Sequence, residues 1–431
     1  METKKVSGKE KFGLALLTMG NIPIMTLINS FLLIFYTDVV GLNPAAVATL
    51  FIVARFFDAA NDPVIGYILD HRKAKSGGKF RPVLMLFGPI AALNFLLLWF
   101  GGVWAPAAKL FVVYVIYLLF SITFTVLDIS GNSVLAVMSD DVRQRDTLSI
   151  IKGICQIFGG AVVSIAAPII LASFGSGLQG YYVLIIAVSV VIAAGTFFGA
   201  KGVREHKTAD VDAEKYRAKD LLGIFTYAPL LVVFLFYLAV GLGSSFQTSV
   251  NAYFFTYVMG DIKYMSTVSG AGMIGLIAAI ILSKPLMNKG KKVIIAVSAA
   301  TLTLGCLIRL PDTGNLMLQI LGGIIFNFGT GLFTSTIPAL LADNVDALER
   351  ERGFRAEGAV FSLSSFISKV SMGIGGAVPG YVLAAVGYQQ NAAAQSAPVN
   401  QAIVWMLLIL PAIFYIVSGI FFMAVYKKRE N

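Results

Sequence analysis

Apolar runs of about 18 or more residues recur along the whole chain, and each is long enough to cross the hydrocarbon core of a bilayer. Lipid offers no partner to a bare N–H or C=O, so only an α-helix or a closed barrel can span it. Barrel strands alternate over about ten residues; these runs are continuous, which selects the helix. Composition agrees. Charged residues make up 13% of the chain and apolar residues 57%, against about 25% charged in a soluble domain. An ordinary globular enzyme and a disordered chain are both excluded. The expected class is an all-α polytopic membrane protein.

Smaller counts narrow the chemistry. Cys155 and Cys306 sit in apolar runs, so neither a disulfide framework nor a zinc site is expected. The two histidines, His71 and His206, lie in polar segments, which argues against a histidine proton relay through the membrane. The basic N-terminus, Lys4 to Lys11, precedes an apolar run too long for a signal peptide, so that run is the first span. No nucleophile with its base, metal-ligand cluster or phosphate-cradling loop is evident. The chain is therefore read as a non-enzyme without a cofactor, and ATP-driven transport by this chain alone is excluded. The net charge of +10 is read as loop charge in a membrane protein, not as a sign of nucleic acid binding.

Polar breaks divide the chain into twelve spans near 13–36, 44–69, 82–104, 110–138, 147–172, 180–201, 223–257, 264–284, 292–310, 315–342, 355–387 and 401–426. Most of the 33 Lys and Arg fall on the side that holds both termini, and the other side receives only Lys109, Lys263 and Arg309. That asymmetry puts both termini in the cytoplasm. The polar segment after span six separates an N-terminal half, 1–201, from a C-terminal half, 223–431, with 202–222 as a central cytoplasmic loop. A basic, glycine-containing loop follows the second span of each half, around His71 to Lys79 and Lys289 to Lys292, as an internal duplication would leave. Six plus six helices look like the major facilitator architecture. Gly66-Tyr-Ile-Leu-Asp70-His-Arg72 resembles the loop motif of that superfamily.

Charges within spans are costly, about 2.5–3.5 kcal/mol on insertion scales, and are functional candidates by default. Here they are Arg55, Asp58, Asp62, Asp128, Lys152 and Lys369. Asp58 and Asp62, four apart on span two, share a helical face. They repel unless a cation sits between them or one is protonated, which describes a cation or proton site; alternatively Arg55, one turn earlier, neutralises one of them in a structural network. Pro63 frees a backbone carbonyl one turn earlier, as an ion ligand or merely as a kink. Thr125, Asp128 and Asn132 form an inward stripe on span four that suits hydroxyl-rich substrates or serves as polar glue. Lys152 and Lys369 either pair with these acids or hold an anionic substrate. Asn21, Asn29, Gln247, Asn251 and Asn327 are uncharged polar residues able to line a cavity. Paired glycines such as Gly159-Gly160 and Gly322-Gly323 read as close helix packing.

Several segments carry a family resemblance. They are Phe35-Tyr-Thr-Asp-Val-Val-Gly-Leu42, Ala54-Arg-Phe-Phe-Asp-Ala-Ala-Asn-Asp-Pro-Val-Ile-Gly66, Gly78-Lys-Phe-Arg-Pro82, Ala342-Asp-Asn-Val-Asp346, Arg355-Ala-Glu-Gly358 and Phe361 to Lys369. Together these resemble the glycoside–pentoside–hexuronide:cation symporters, the melibiose-permease branch of the major facilitators. The resemblance implies that Asp58, Asp62, Asn61 and Thr125 bind the coupling cation, Asp58 and Asp62 being the ligands of a monovalent metal ion if that ion is sodium. It implies that Asp128 contacts sugar hydroxyls, with Lys152 near a sugar-binding arginine position and Lys369 near the cation site. Arg55 and Lys369 complete the coupling network. The chain departs from the melibiose permease pattern in two places. Ile22, beside Asn21, stands where a span-one aspartate grips the sugar, and Asn132 replaces a stacking tryptophan.

The expected function is symport of a glycoside, pentoside or hexuronide with sodium, lithium or a proton, by alternating access. The expected partners are the small-molecule substrate, the coupling cation and the lipid of the inner cell membrane, with the chain working as a monomer. Alternatives are transport of a non-sugar solute or amphiphile, a proton-driven exporter, and a membrane sensor or scaffold that moves nothing.

Overall fold

The computed structural model describes residues 6–72, 78–139, 141–174, 177–206, 226–352, 357–390 and 392–426. Most of the central segment 202–222 lies outside these residues. So do the loop cations Lys4, Lys5, Lys73, Lys75, Lys207, Lys215, Arg217, Lys219, Arg355, Lys427, Lys428 and Arg429.

The chain divides into two compact units, Met1–Asp212 and Ala213–Asn431. The described residues of the first form α1 (Gly8–Ile34), α2 (Pro44–His71), α3 (Arg81–Trp104), α4 (Lys109–Val137), α5 (Val142–Ser173) and α6 (Leu178–Gly202). Those of the second form α7 (Ala228–Tyr253), α8 (Lys263–Met287), α9 (Lys291–Leu307), α10 (Leu316–Arg352), α11 (Glu357–Ala385) and α12 (Ala397–Val425). All but α9 are long and apolar enough to cross a membrane. The ninth span ends at Leu307, short of the expected 310, because Pro311 disfavours helical backbone in the residue before it. Arg309, expected as a loop cation, is instead buried. Its Nε donates to Gln319 Oε1 at 2.6 Å, and its guanidinium lies 5.7 Å from the centre of the Phe254 ring. A planar cation can be buried this way because one face stacks on an aromatic ring while its edge is hydrogen-bonded.

Within each unit the helices pair in the same pattern. In the first, α1 packs on α5 and α6, α3 on α4 and α6, and α2 on α4; in the second, α7 packs on α11 and α12, α9 on α10 and α12, and α8 on α10. The α1–α6 pair is close because glycines meet backbone: a Cβ on Gly199 would lie 2.5 Å from Leu17 N. In lipid such contact, rather than hydrophobicity, drives helix association.

A repeat in the chain is visible at the helix ends. After α1 the backbone widens into a π turn, Phe35–Val39, and after α7 into another, Phe254–Val258. Phe35-Tyr-Thr37-Asp-Val39-Val-Gly41 aligns with Phe254-Phe-Thr256-Tyr-Val258-Met-Gly260, and both glycines adopt positive φ, 70° and 79°. The same shift sets Pro44 on Lys263, the first residues of α2 and α8. It also sets Arg55, Asp58, Asn61 and Asp62 on Ile274, Ile277, Ile280 and Ile281, all of them exposed. Ahead of α3 and α9, Gly78 and Gly290 share a positive φ of 101° and 106°, a backbone that costs glycine nothing.

The basic loops anchor each third helix. Glu205 accepts from the backbone N–H of Lys79, Phe80 and Arg81 at 2.7, 2.8 and 2.7 Å, capping α3, while Arg81 donates to the carbonyls of Ala200 and Lys201 at the end of α6. An acid thus meets a helix start and a base a helix end, each favourable with the helix dipole. In the second unit Lys291 pairs with Asp343 at 2.7 Å and Lys292 donates to the Tyr426 carbonyl at the end of α12. The segments Gly78–Pro82 and Ala342–Asp346 therefore serve the scaffold.

Candidate substrate and ion sites

Both candidate sites of the first unit are built on α4. Helices α2 and α4 run parallel in a register that sets Asp58 against Ser121 and Asp62 against Thr125. Ser121 Oγ donates to Asp58 Oδ1, and Thr125 Oγ1 donates to Asp62 Oδ1 at 2.9 Å. The result is a ladder of two carboxylate–hydroxyl rungs one helical turn apart. Arg55 Nη1 lies 3.2 Å from Asp58 Oδ2, so the arginine pairs with the first acid as the sequence allowed. Asn61 Nδ2 is buried with no hydrogen-bond partner, which leaves its amide spare bonding capacity beside the ladder. Pro63 sits within an unbroken α2. Lys369 stands on α11 of the second unit.

One turn further along α4 the chemistry changes from ion-sized to ligand-sized. A cavity of about 320 Å³ opens between α1, α4 and α5, a volume at the lower end of small-molecule sites. Asp128, Asn132, Lys152 and Asn21, the expected substrate residues, all line it. Lys152 Nζ donates to Asn132 Oδ1, one turn from Asp128 on the same face of α4. Asn21 turns its oxygen to Thr196, 3.2 Å away on α6. Apolar Ile22, Met25 and Phe124 share the lining with these polar groups. Ile22 packs against Gly159, where a Cβ would come within 3.3 Å of it.

Sequence reasoning missed Ser121, Thr18 and Gln156. Ser121 is a single hydroxyl in a long apolar run, and only its four-residue spacing from Thr125, matching that from Asp58 to Asp62, could have marked it. Thr18 and Gln156 line the cavity from α1 and α5. Two other polar candidates turn out to be internal ties: Gln247 bonds the Leu407 carbonyl at 2.9 Å and Asn327 the Gly323 carbonyl at 2.9 Å.

Residues 13–428 match the family described as MFS/sugar transport protein. The chain belongs to that family. It is 30% identical over 424 residues to the isoprimeverose transporter of Lactiplantibacillus pentosus, covering 96% of this chain and 88% of the relative. It is 26% identical over 436 residues to a putative sulfoquinovose importer of Escherichia coli (strain K12), covering 99% and 93%. A glucuronide carrier protein homolog of the same organism is 28% identical over 375 residues, covering 84% and 80%. These matches agree with the motif resemblance and place the chain among the glycoside–pentoside–hexuronide:cation symporters. The crystal structure of the nucleoside transporter NupG superposes with a TM-score of 0.69 at 13% identity, covering 97% of this chain and 100% of that one. This likeness establishes the major facilitator fold. The protein is thus a multi-pass membrane transporter and not an enzyme.

Proposed function

We propose that this family member couples the movement of a sugar, as a glycoside, pentoside or hexuronide, to that of a monovalent cation or proton down its gradient. The observation that carries the reading is the continuity of α4. Ser121 and Thr125 face the two acids of α2, and Asp128 and Asn132, the next turns, face the cavity. Hard cations take carboxylate and hydroxyl oxygens, which the ladder offers. Sugar hydroxyls need acceptors and donors in fixed places, which Asp128, Asn132 and Lys152 supply. Filling one site stiffens the helix that builds the other, a route to reciprocal coupling of about 1–3 kcal/mol. The basic loop asymmetry orients both termini to the cytoplasm of an inner membrane.

The test is counterflow in proteoliposomes with labelled isoprimeverose, a glucuronide, sulfoquinovose and neutral hexosides, with sodium, lithium or a pH gradient imposed separately. Counterflow of at least one sugar, with accumulation driven by one of these gradients, is expected. Its absence across the panel overturns the reading. The apolar wall of Ile22, Met25 and Phe124 favours one competing occupant, an amphiphile, whose counterflow in place of every sugar would establish the alternative.

A further inference from the structure

We propose that Lys109 is a clamp on the corner between α1 and α2, and that the matching corner between α7 and α8, which carries no such clamp, is the one that opens. The inference goes beyond the sugar and ion reading and uses none of its residues. Lys109 is the first residue of α4, at the positive end of that helix, where a cation is unfavourable. Its ammonium is compensated across the unit. Nζ donates to the carbonyls of Val40 at 3.0 Å and Gly41 at 2.7 Å, just past the π turn that ends α1. Carbonyls at a helix C-terminus lack intrahelical donors and favour a cation. A bond from a charged donor is about twice as strong as a neutral one, and this lysine makes two.

The repeat supplies the comparison. Val40 N–H donates to the Phe35 carbonyl at 3.0 Å, and Met259 N–H donates to the Phe254 carbonyl at the same distance. Gly41 and Gly260 then turn the chain with positive φ. A side-chain oxygen accepts from the start of each following helix, Asn43 from Ala45 N–H and Asp261 from Lys263 N–H. Beyond this the corners differ. At the first, Leu42 N–H also reaches the Tyr36 carbonyl at 2.8 Å, Tyr36 Oη donates to the Leu98 carbonyl of α3 at 2.7 Å, and Lys109 closes over the turn. At the second, the Met259 and Gly260 carbonyls have no donor among the described residues, and the Leu42 bond has no counterpart at Asp261. A Cβ on Gly260 would meet nothing within 4 Å. What holds this turn acts before the corner: the Arg309 guanidinium over Phe254 and the Tyr388 ring against Tyr257. Local opening takes place where bonds are few and the backbone is open to solvent, which is the second corner.

The experiment follows amide hydrogen exchange of the full chain in lipid nanodiscs, read residue by residue and corrected for intrinsic rates. Val40 and Met259 make the same backbone bond, so a difference between them reports what surrounds it. Met259 is expected to exchange about tenfold faster or more, the weight of one hydrogen bond to a charged group. Lys109→Met keeps the stem and removes the donor. In that variant exchange at Val40 should rise by a similar factor, while Met259 stays as in the wild type. Equal exchange at Val40 and Met259 in the wild type overturns the inference, whether or not the variant folds. So does a folded Lys109→Met protein whose Val40 remains protected, or one in which exchange rises equally along all of α1 and α4. A wild-type protein that moves no sugar yet shows the expected pattern counts against the symport reading and leaves the clamp intact.

Discussion

Thr125 Oγ1 lies 2.9 Å from Asp62 Oδ1 and donates to it across the interface of α4 and α2. A carboxylate and a hydroxyl brought together inside a spanning region are the oxygen set a small hard cation requires. Replacing Asp62 by Asn keeps the shape and removes the charge. Asp62→Asn is expected to retain sugar exchange at equal concentrations and to lose gradient-driven accumulation. Thr125→Val should weaken the apparent ion affinity by about tenfold to a hundredfold, the value of one hydrogen bond at a charged group. Undiminished accumulation in Asp62→Asn would refute the assignment.

We propose that sugar recognition rests on Asp128, Asn132 and Lys152, which line the cavity. Asp128→Ala removes a charged acceptor, so sugar affinity should fall by about tenfold or more, while ion binding, measured by calorimetry, persists. Lys152→Ala should impair anionic sugars more than neutral ones, because Lys152 is the only cation among the described residues lining the cavity. Equal losses for both classes would reduce the lysine to a support for Asn132.

At the start of α3, Glu205 accepts three backbone N–H groups. Glu205→Ala leaves them uncapped and should cost about 2 kcal/mol or more, seen as a lower midpoint in a thermal unfolding assay in detergent. Glu205→Gln keeps an acceptor and should recover part of the loss. A midpoint unchanged in Glu205→Ala would show that water caps the helix equally well.

Gly41 and Gly260 hold the left-handed backbone that follows each π turn. Gly41→Ala and Gly260→Ala should each destabilise by about 1–2 kcal/mol, whereas Gly8→Ala, with open space around its Cα, should not. Similar thermal midpoints for all three would remove the conformational argument.

Orientation is tested with cysteines placed at Ser76 and Lys428 in a background lacking Cys155 and Cys306. Both are expected to react with a membrane-impermeant maleimide only from the cytoplasmic side. Reaction of either from outside reverses the topology.

The helices were legible because hydrophobic length is a one-dimensional property, and the acids of α2 because charge in an apolar run has few explanations. Residues whose role depends on a neighbour far along the chain were not. Ser121 matters only because it meets Asp58. Arg309 read as a loop cation because nothing local distinguishes a buried guanidinium from a solvated one; its partners are a ring in the π turn after α7 and an amide on α10. The repeat of Phe35–Gly41 in Phe254–Gly260 was hidden because only alternate residues are kept, the ones the turn itself requires.

That repeat gives the chain an internal reference. α8 is α2 with its chemistry removed: four isoleucines stand where an arginine, two aspartates and an asparagine stand in the first unit, behind the same turn and the same glycine. The same turn and helix thus carry either content at those positions. A single polypeptide holds a charged version and its blank, and under the proposed function the difference between them is the part of the molecule that answers to the ion.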